Sequence, residues 1–570
     1  MQNNYMMQVD GVPVAIEGER NLLEIISKVG TVMPVFCYHS NLSIYGACRM
    51  CMVEDEKGRL MAACSTLPAP GMKIRTNTGR LRRYRKNILE LLLAEHCRDC
   101  TTCANSGKCK LQDLAAQFGI SEIRFQNSRA ALPKDESSPC IIKDPGKCIL
   151  CGDCVRECNE IQRVGAIDFA HRGSNVTIST AFDIPLSESL CVGCGQCSAV
   201  CPTGAIIVRD DSHKVWNAID DRETFTSCEI APAVRVGIAR ELGMSDSENS
   251  MGIIVAALHR MGFDRVYDTC TGADITVIEE TNEFLNRLEK GENLPLFTSC
   301  CPAWVQFVEK KYPELIPNVS SCKSPMSMFS SIVKEYFKDK LPEGKTKHFH
   351  AALMPCTAKK FESGREEFKT KEFGPATDAV ITTQELIKMI RESGIVFREL
   401  EPESVDMPFG TMSGASVIFG VTGGVTEAVL RRVAEDSSRT TLAEISYSGV
   451  RGMESIKEAI VHHGDRELRI AVVSGLGNAE KVIKKLKNGE VNYDLVEVMA
   501  CPDGCISGAG QPYISFRHRK KRGEALYRAD RTSTIKRSQD NPMVTELYNG
   551  LLKDKTHELL HTTYKPFNQD

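Results

Sequence analysis

The chain has 570 residues, 42% hydrophobic and 25% charged, an ordinary globular composition with room for several domains. A net charge of −3 argues against a polyanionic partner, so no nucleic acid is expected. No apolar run reaches the roughly 18 residues of a membrane helix. The opening MQNNYMMQVDGVPVAIEG lacks the basic and apolar regions of a signal peptide, so no membrane and a cytoplasmic location are expected.

Four domains are expected, 1–79, 80–126, 127–209 and 210–570. In the first, MQVDGVPVAIEG alternates apolar and polar residues about a turn, as a hairpin does, and NLLEIISKVG has helical spacing. Cys37-x10-Cys48-x2-Cys51-x12-Cys64 suits a [2Fe–2S] cluster; the spacing is near the plant-type ferredoxin pattern without matching it. Zinc is the alternative use of four such thiols.

The second domain reads as helices around cysteines, with RRYRKNILELLLAEH carrying an amphipathic stripe. His96, Cys97, Cys100, Cys103 and Cys109 offer five candidate ligands for four positions. Spacing alone leaves His96 and Cys97 as rivals.

The third domain holds an internal repeat, CILCGDCVREC and CVGCGQCSAVCPTGAI. This is the bacterial two-cluster ferredoxin run, in which the fourth cysteine of each set serves the other cluster. One [4Fe–4S] should take Cys148, Cys151, Cys154 and Cys201, the other Cys191, Cys194, Cys197 and Cys158. Seventeen of the 25 cysteines lie between Cys37 and Cys201. A disulfide framework belongs to short secreted chains, so a wire for single electrons is the better reading.

From about residue 210, NLPLFTS, FHAALMP, LRIAVVSG and DLVEVMA read as buried strands alternating with helices, an α/β pattern with mostly parallel strands. Ligands of such sheets gather at the carboxyl ends of strands, where TSCCPAW, MPCTAKKFE and MACPDGCISGAGQP place Cys300, Cys301, Cys356, Cys501 and Cys505. One of the first pair with the other three could hold a further [4Fe–4S] cluster; buried structural cysteine is the alternative. DITVIEETNEFLNRLEKGE reads as a helix with Glu280, Glu283 and Arg287 on one face, either a proton relay or a solvated ion-paired face. The RHRKKR run at 517–522 reads as a solvated face or internal ion pairing rather than a nucleic-acid patch.

These three motifs resemble the signatures of the [FeFe]-hydrogenases, and the upstream domains resemble the large multi-cluster members, such as a monomeric clostridial enzyme. The tail, with ALYRADRTSTIKRSQDNPMVTELY and HELLHTTY, is similar to that family's C-terminal segment. The resemblance implies a multidomain α+β and α/β chain. It would comprise a [2Fe–2S] ferredoxin-like domain, a small His/Cys cluster domain, a two-[4Fe–4S] ferredoxin domain and a large two-lobed α/β catalytic domain.

It further implies an H-cluster, a [4Fe–4S] held by Cys301, Cys356, Cys501 and Cys505, with Cys505 bridging to a two-iron unit bearing CO, cyanide and azadithiolate. Lys359, Pro355, Met354, Met499, Met326 and the lining strand Ala231, Pro232 and Ala233 match positions around that unit. Cys300 matches the proton-donating thiol, and Glu280, Glu283, Ser320 and Arg287 match the proton path. The resemblance favours His96 with Cys100, Cys103 and Cys109 for the third accessory [4Fe–4S], leaving Cys97 a spectator. Cys140, Cys228, Cys270 and Cys322 receive no ligand role.

The implied reaction is 2H+ + 2e− ⇌ H2, exchanging electrons with ferredoxin or a similar carrier and depending on maturation proteins for the two-iron unit. The alternative is the catalytic subunit of an NAD(P)-linked or electron-bifurcating complex. No GxGxxG follows a strand, so nucleotide chemistry would need flavoprotein subunits. An H2 sensor and an iron–sulfur assembly protein are further rivals, disfavoured by intact Cys300, Glu280 and Glu283, and a pure electron-relay subunit is disfavoured by the three downstream cysteine motifs. Three departures are expected to tune the reaction: Met326 in place of the usual glutamine, Asp503 in a Gly-Gly pair, and Ala509 within a glycine run. Asp503 should lower the neighbouring cluster's potential if its charge is ionised and poorly screened; exposure to solvent would cancel the effect.

Overall fold

The computed structural model describes residues 5–127, 131–245, 250–370, 374–434, 445, 449–464, 466–513 and 516–567. The chain forms two compact units. The first comprises Met1–Ile161, Gly165–Ser189 and Cys197–Ile207; the second comprises Gln162–Val164, Leu190–Gln196 and Val208–Asp570. Among the described residues no helix is long and apolar enough to cross a membrane.

In the first unit the expected hairpin is β1 (Met6–Val9) and β2 (Val12–Ala15), followed by helix α1 (Leu22–Lys28). Asn21 caps α1 by accepting from the Glu24 amide. With β3 (Met52–Asp55), β4 (Leu60–Ala62) and β5 (Lys73–Arg75) the sheet order is β2-β1-β5-β3-β4, and only β1 and β5 run parallel. Leu22, Ile25 and Ile26 of α1 are buried against Val9 and Val53.

Helix α2 (Gly79–Glu95) turns Leu81 and Leu89 inward, as its apolar stripe requires. On the same face the buried Arg85 donates to the carbonyls of Met50, Met52 and Thr76, at 3.2, 2.7 and 2.9 Å. It thereby ties α2 to the backbone beside Cys51 and to the end of β5. Helix α3 (Lys110–Gln117) follows Cys109. Buried Arg156 donates to the Cys37 carbonyl at 2.9 Å and to the Ser43 carbonyl, so the first ferredoxin repeat is tied to the first cysteine loop.

The second unit carries two four-stranded sheets. One, in order β7-β6-β9-β10, is all parallel: β6 (Thr224–Ile230), β7 (Arg265–Asp268), β9 (Lys347–Met354) and β10 (Ala379–Thr382). The other, in order β8-β13-β12-β11, uses β8 (Leu296–Phe297), β11 (Ile456–His463), β12 (Arg466–Ser474) and β13 (Leu495–Met499). Only its β11–β12 pair is antiparallel.

Helix α4 (Cys270–Lys290) is buried over most of its length and ends at Gly291, whose φ of 68° a side chain would resist. Helix α5 (Pro325–Phe337) starts on an SP step: Ser324 caps it and Pro325 takes the first turn, where a missing N–H costs nothing. The C-terminal helices are α6 (Phe516–Thr532), α7 (Pro542–Asn549) and α8 (Thr556–Leu560).

Candidate active site

The three cysteine motifs of the second unit meet at one cavity of about 80 Å³, lined by Cys300, Cys301, Cys356, Cys501 and Cys505. Each sits where a parallel strand ends: Cys301 four residues past β8, Cys356 two past β9, Cys501 two past β13. Met326, Met354, Pro355, Lys359 and Met499 line the same space, with Ala231, Pro232 and Ala233. The last three were expected on a strand; β6 instead ends at Ile230, and they form the turn beyond it. A proline that cannot donate to a ladder accounts for the early stop.

Close approach, not flexibility, explains the glycines. A Cβ on Gly508 would stand 2.2 Å from the Pro355 carbonyl oxygen, and one on Gly504 (φ 91°) 2.6 Å from the Thr422 amide. Ala509 breaks the glycine run harmlessly, because Gly508 and Gly510 are the residues pressed against Pro355.

Burial pushes the thiols of Cys301, Cys356, Cys501 and Cys505 up, Cys356 to about 12. Such thiols stay protonated unless a metal displaces the proton. Four of them around one space too small for a substrate of drug size fit a metal–sulfur cluster. Lys359 is buried, with Nζ 2.6 Å from Ser324 Oγ, 2.6 Å from Glu362 and 3.4 Å from the Cys300 carbonyl. Burial works against its charge, but Glu362 outweighs that and holds it above the ordinary lysine value. The cavity thus has one fixed cation among apolar walls.

Two departures change meaning. Met326 is 1% exposed and lines the cavity. Asp503 neither faces solvent nor stands uncompensated: it is 5% exposed, and Arg519 lies 2.9 Å from its carboxylate. Burial raises its carboxyl, with Arg519 and Lys457 pulling the other way. The basic run at 517–522 is correspondingly not a simple solvated face. Arg519 makes that ion pair, and buried Arg522 donates to the carbonyls of Ile506, Gly237 and Pro512; the Arg517 side chain lies outside the described set.

Behind Cys300 lies a line of polar groups. Glu280 is 1% exposed, and burial first, then the Glu283 charge, pushes its carboxyl up to about 8. It is therefore protonated near neutrality, yet close enough to exchange. Ser320 Oγ donates to Glu283 Oε2 at 2.8 Å. Arg287 pairs with Glu283 and also donates to the carbonyls of Pro317 and Val319, fixing the loop that presents Ser320. Sequence spacing placed the three charged residues on one face but gave no sign of the loop they hold.

In the first unit, Cys148, Cys151, Cys154 and Cys201 share a small cavity. Cys37, Cys51 and Cys64 are buried, and the Cys48 amide donates to Cys37 Sγ at 3.3 Å. Cys97 donates to Asp99 at 3.0 Å, whereas His96 Nδ1 is buried without a hydrogen-bond partner. Burial, and then Lys147, hold the His96 imidazole below its usual pKa, in the neutral form that metals bind. In the second unit, the stretch with Cys191 and Cys194 packs by the active-site cavity: Gln196 Nε2 is 3.1 Å from Cys501 Sγ, and Thr357 Oγ1 donates to the Gly193 carbonyl at 2.8 Å.

Some residues of the site escaped the sequence reading. Ser324 and Glu362, which hold Lys359, had local signals in the SP cap and the i, i+3 spacing. Thr269, Ala273, Phe419 and Gly420 line the cavity; they lie outside the cluster motifs, with nothing in the sequence to single them out.

Residues 224–509 match the iron only hydrogenase large subunit, C-terminal domain, and 516–566 the iron hydrogenase small subunit. Upstream, 4–79 match a 2Fe-2S iron-sulfur cluster binding domain, 85–124 the NADH-ubiquinone oxidoreductase-G iron-sulfur binding region, and 147–205 a 4Fe-4S dicluster domain. The NADP-reducing hydrogenase subunit HndD of Solidesulfovibrio fructosivorans is 40% identical over 98% of both chains. Iron hydrogenase 1 of Clostridium pasteurianum is 33% identical over 98% of this chain and 99% of its own. The solved apo [FeFe]-hydrogenase HydA1 from Chlamydomonas reinhardtii is 38% identical, with a TM-score of 0.54 over 63% of this chain and 99% of that one.

Proposed function

The chain belongs to the iron-only hydrogenases, and from that premise we propose that it interconverts protons and H2 at the cavity between the Cys301, Cys356, Cys501 and Cys505 motifs. The observation that carries this reading is the convergence of five cysteines, Lys359 and three methionines on one small cavity. Cys301, Cys356, Cys501 and Cys505 would hold a [4Fe–4S] cluster, and Cys505 would bridge to the two-iron unit, which supplies the redox chemistry of H2 when bound. Lys359 would donate a charge-assisted hydrogen bond to an anionic ligand of that unit. The apolar walls exclude water from the reacting centre.

The chain's own groups move the proton. Cys300 lines the cavity and would exchange a proton with it. Neutral Glu280 would reload Cys300, and Ser320 would pass protons from Glu283 to Glu280. Electrons would travel by the accessory clusters: a [2Fe–2S] on Cys37, Cys48, Cys51 and Cys64, a [4Fe–4S] on His96, Cys100, Cys103 and Cys109, and the two-cluster repeat. Proximity of Gln196 and Gly193 to the cavity residues supports the Cys191 and Cys194 stretch as the last step of that wire.

Two readings of the electron partner stand. Ferredoxin suits the row of low-potential centres. The full-length likeness to an NADP-reducing hydrogenase subunit favours a catalytic subunit that works beside flavoprotein partners. Rates of the matured chain with reduced ferredoxin, and of the copurified complex with NADPH, separate them: a free-standing enzyme turns over with the first alone.

A further inference from the structure

Glu283 makes a second set of contacts that leads away from the active site. Ser321 Oγ lies 3.1 Å from Glu283 Oε2 and 2.9 Å from His561 Nδ1. His561 Nε2 lies 3.0 Å from Glu279 Oε2, and Tyr548 donates to the other oxygen of Glu279. Resting on the hydrogenase reading above, we propose that Glu279, His561 and Ser321 form a proton-loading branch that recharges Glu283.

Three contacts need three hydrogens: Glu279 to His561, His561 to Ser321, and Ser321 to Glu283. The Ser321 hydroxyl brings one and a neutral imidazole one. A third hydrogen on Glu279, on His561 or on Glu283 gives a fully bonded chain, and passing it along the chain converts one such state into another while the Ser321 amide keeps hold of Glu283 Oε2.

The transfer balances. A proton on Glu279 Oε2 passes to His561 Nε2. The Nδ1 proton passes to Ser321 Oγ, and the Ser321 hydroxyl proton passes to Glu283 Oε2. One proton has moved from Glu279 to Glu283, no electron is exchanged, and every contact keeps its hydrogen. Rotation of the Ser321 hydroxyl and a tautomer change at His561 reset the chain.

The surroundings suit this role. Helix α4 contributes Glu279 and Glu283, with Arg287 on Glu283. Helix α7 contributes Tyr548. Helix α8 and the residue after it contribute exposed His557, its ring stacked 5.5 Å from that of His561, and Glu558, whose carbonyl accepts from Lys323. Arg432 acts on Glu279 from the 424–433 helix, and the buried Cys322 thiol lies 3.7 Å from Glu283. The Glu279 and His561 side chains keep 10% and 13% exposure, enough to meet solvent, while Glu280 keeps almost none.

The test compares matured wild type, His561→Gln, Ser321→Ala and His561→Gly for dye-driven H2 evolution from pH 5 to 9. The carboxylic-acid C=O infrared band is titrated in the same chains before the two-iron unit is inserted. We expect His561→Gln and Ser321→Ala to stay within about twofold of wild type at pH 5 and to fall about tenfold behind at pH 8, where protons are scarce. Added imidazole should restore His561→Gly, and His561→Gln should shift one carboxyl titration by about one pH unit or more. Wild-type pH profiles in both variants, or an equal loss at every pH without imidazole rescue, would overturn the branch. So would an unchanged carboxyl titration, which is read even if no H2 is made; a wild type without H2 evolution counts against the hydrogenase reading instead.

Discussion

Arg519, on the C-terminal helix α6, lies 2.9 Å from the carboxylate of Asp503, which stands between Cys501 and Cys505. The pair is buried on both sides, at 11% and 7% side-chain exposure. The small-subunit-like segment thus sets the charge beside the cluster loop. Asp503→Gly suits the backbone, whose φ is 64°, but removes the carboxylate from beside the Arg519 cation and the cluster loop. We predict a higher cluster potential and a bias moved toward H2 uptake, read by protein-film voltammetry. Arg519→Met should leave the bias nearly unchanged, because Asp503, already raised by burial, takes up a proton. It should cost about 3 kcal/mol of stability in chemical denaturation, the order expected on breaking a buried pair.

Met326 fills part of the cavity wall with a soft apolar side chain. Met326→Gln would introduce an amide into that wall. Inhibition by CO and O2 should change several-fold, with H2 still the only product; identical inhibitor kinetics in both forms would show the residue to be neutral.

The Glu280 carboxyl, held at about 8 by burial and by Glu283, gives stability a defined sign. Below the ordinary glutamate value both folded and unfolded states are protonated, and no penalty arises. As pH rises from there through 8 the unfolded state ionises while the folded state resists, and stability falls by up to roughly 1.4 kcal/mol per pH unit. Glu280→Gln should therefore gain melting temperature relative to wild type between pH 5 and 8. Its H2 turnover should drop by about a hundredfold or more.

Loss of one accessory centre should separate wiring from chemistry. Deleting residues 1–126 would strip buried Arg156 of its Cys37 and Ser43 carbonyl partners, so a ligand substitution is the cleaner probe. Cys51→Ala should keep dye-linked activity within about twofold while rates with a protein electron carrier fall at least tenfold. Equal loss with both donors would mean that the first cysteine loop has a structural role alone.

Much of this was legible in the chain. Fixed spacings identify the cysteine loops because a cluster needs its thiolates at set distances, and four of the eight strands in the two large sheets, β8, β9, β12 and β13, follow from short apolar runs. The Asp503–Arg519 pair was not legible, since its partners join only when α6 folds back onto the cluster loop. Nor was the approach of His561 to Glu279, residues 282 positions apart. Ala231-Pro232-Ala233 was expected on a strand through the family resemblance; the fold ends β6 at Ile230, two residues before the proline.

The proposed function requires that the cavity residues carry out H2 chemistry with Cys300 as their proton donor. The direct measurement is H2 evolution from reduced viologen by the chain matured with the two-iron unit, run beside Cys300→Ala. The account predicts sustained evolution by the wild type and a rate at least about a hundredfold lower in the variant, with cluster infrared bands intact in both. Equal rates in the two proteins, or no H2 from a wild type whose spectrum shows the assembled cluster, would contradict it.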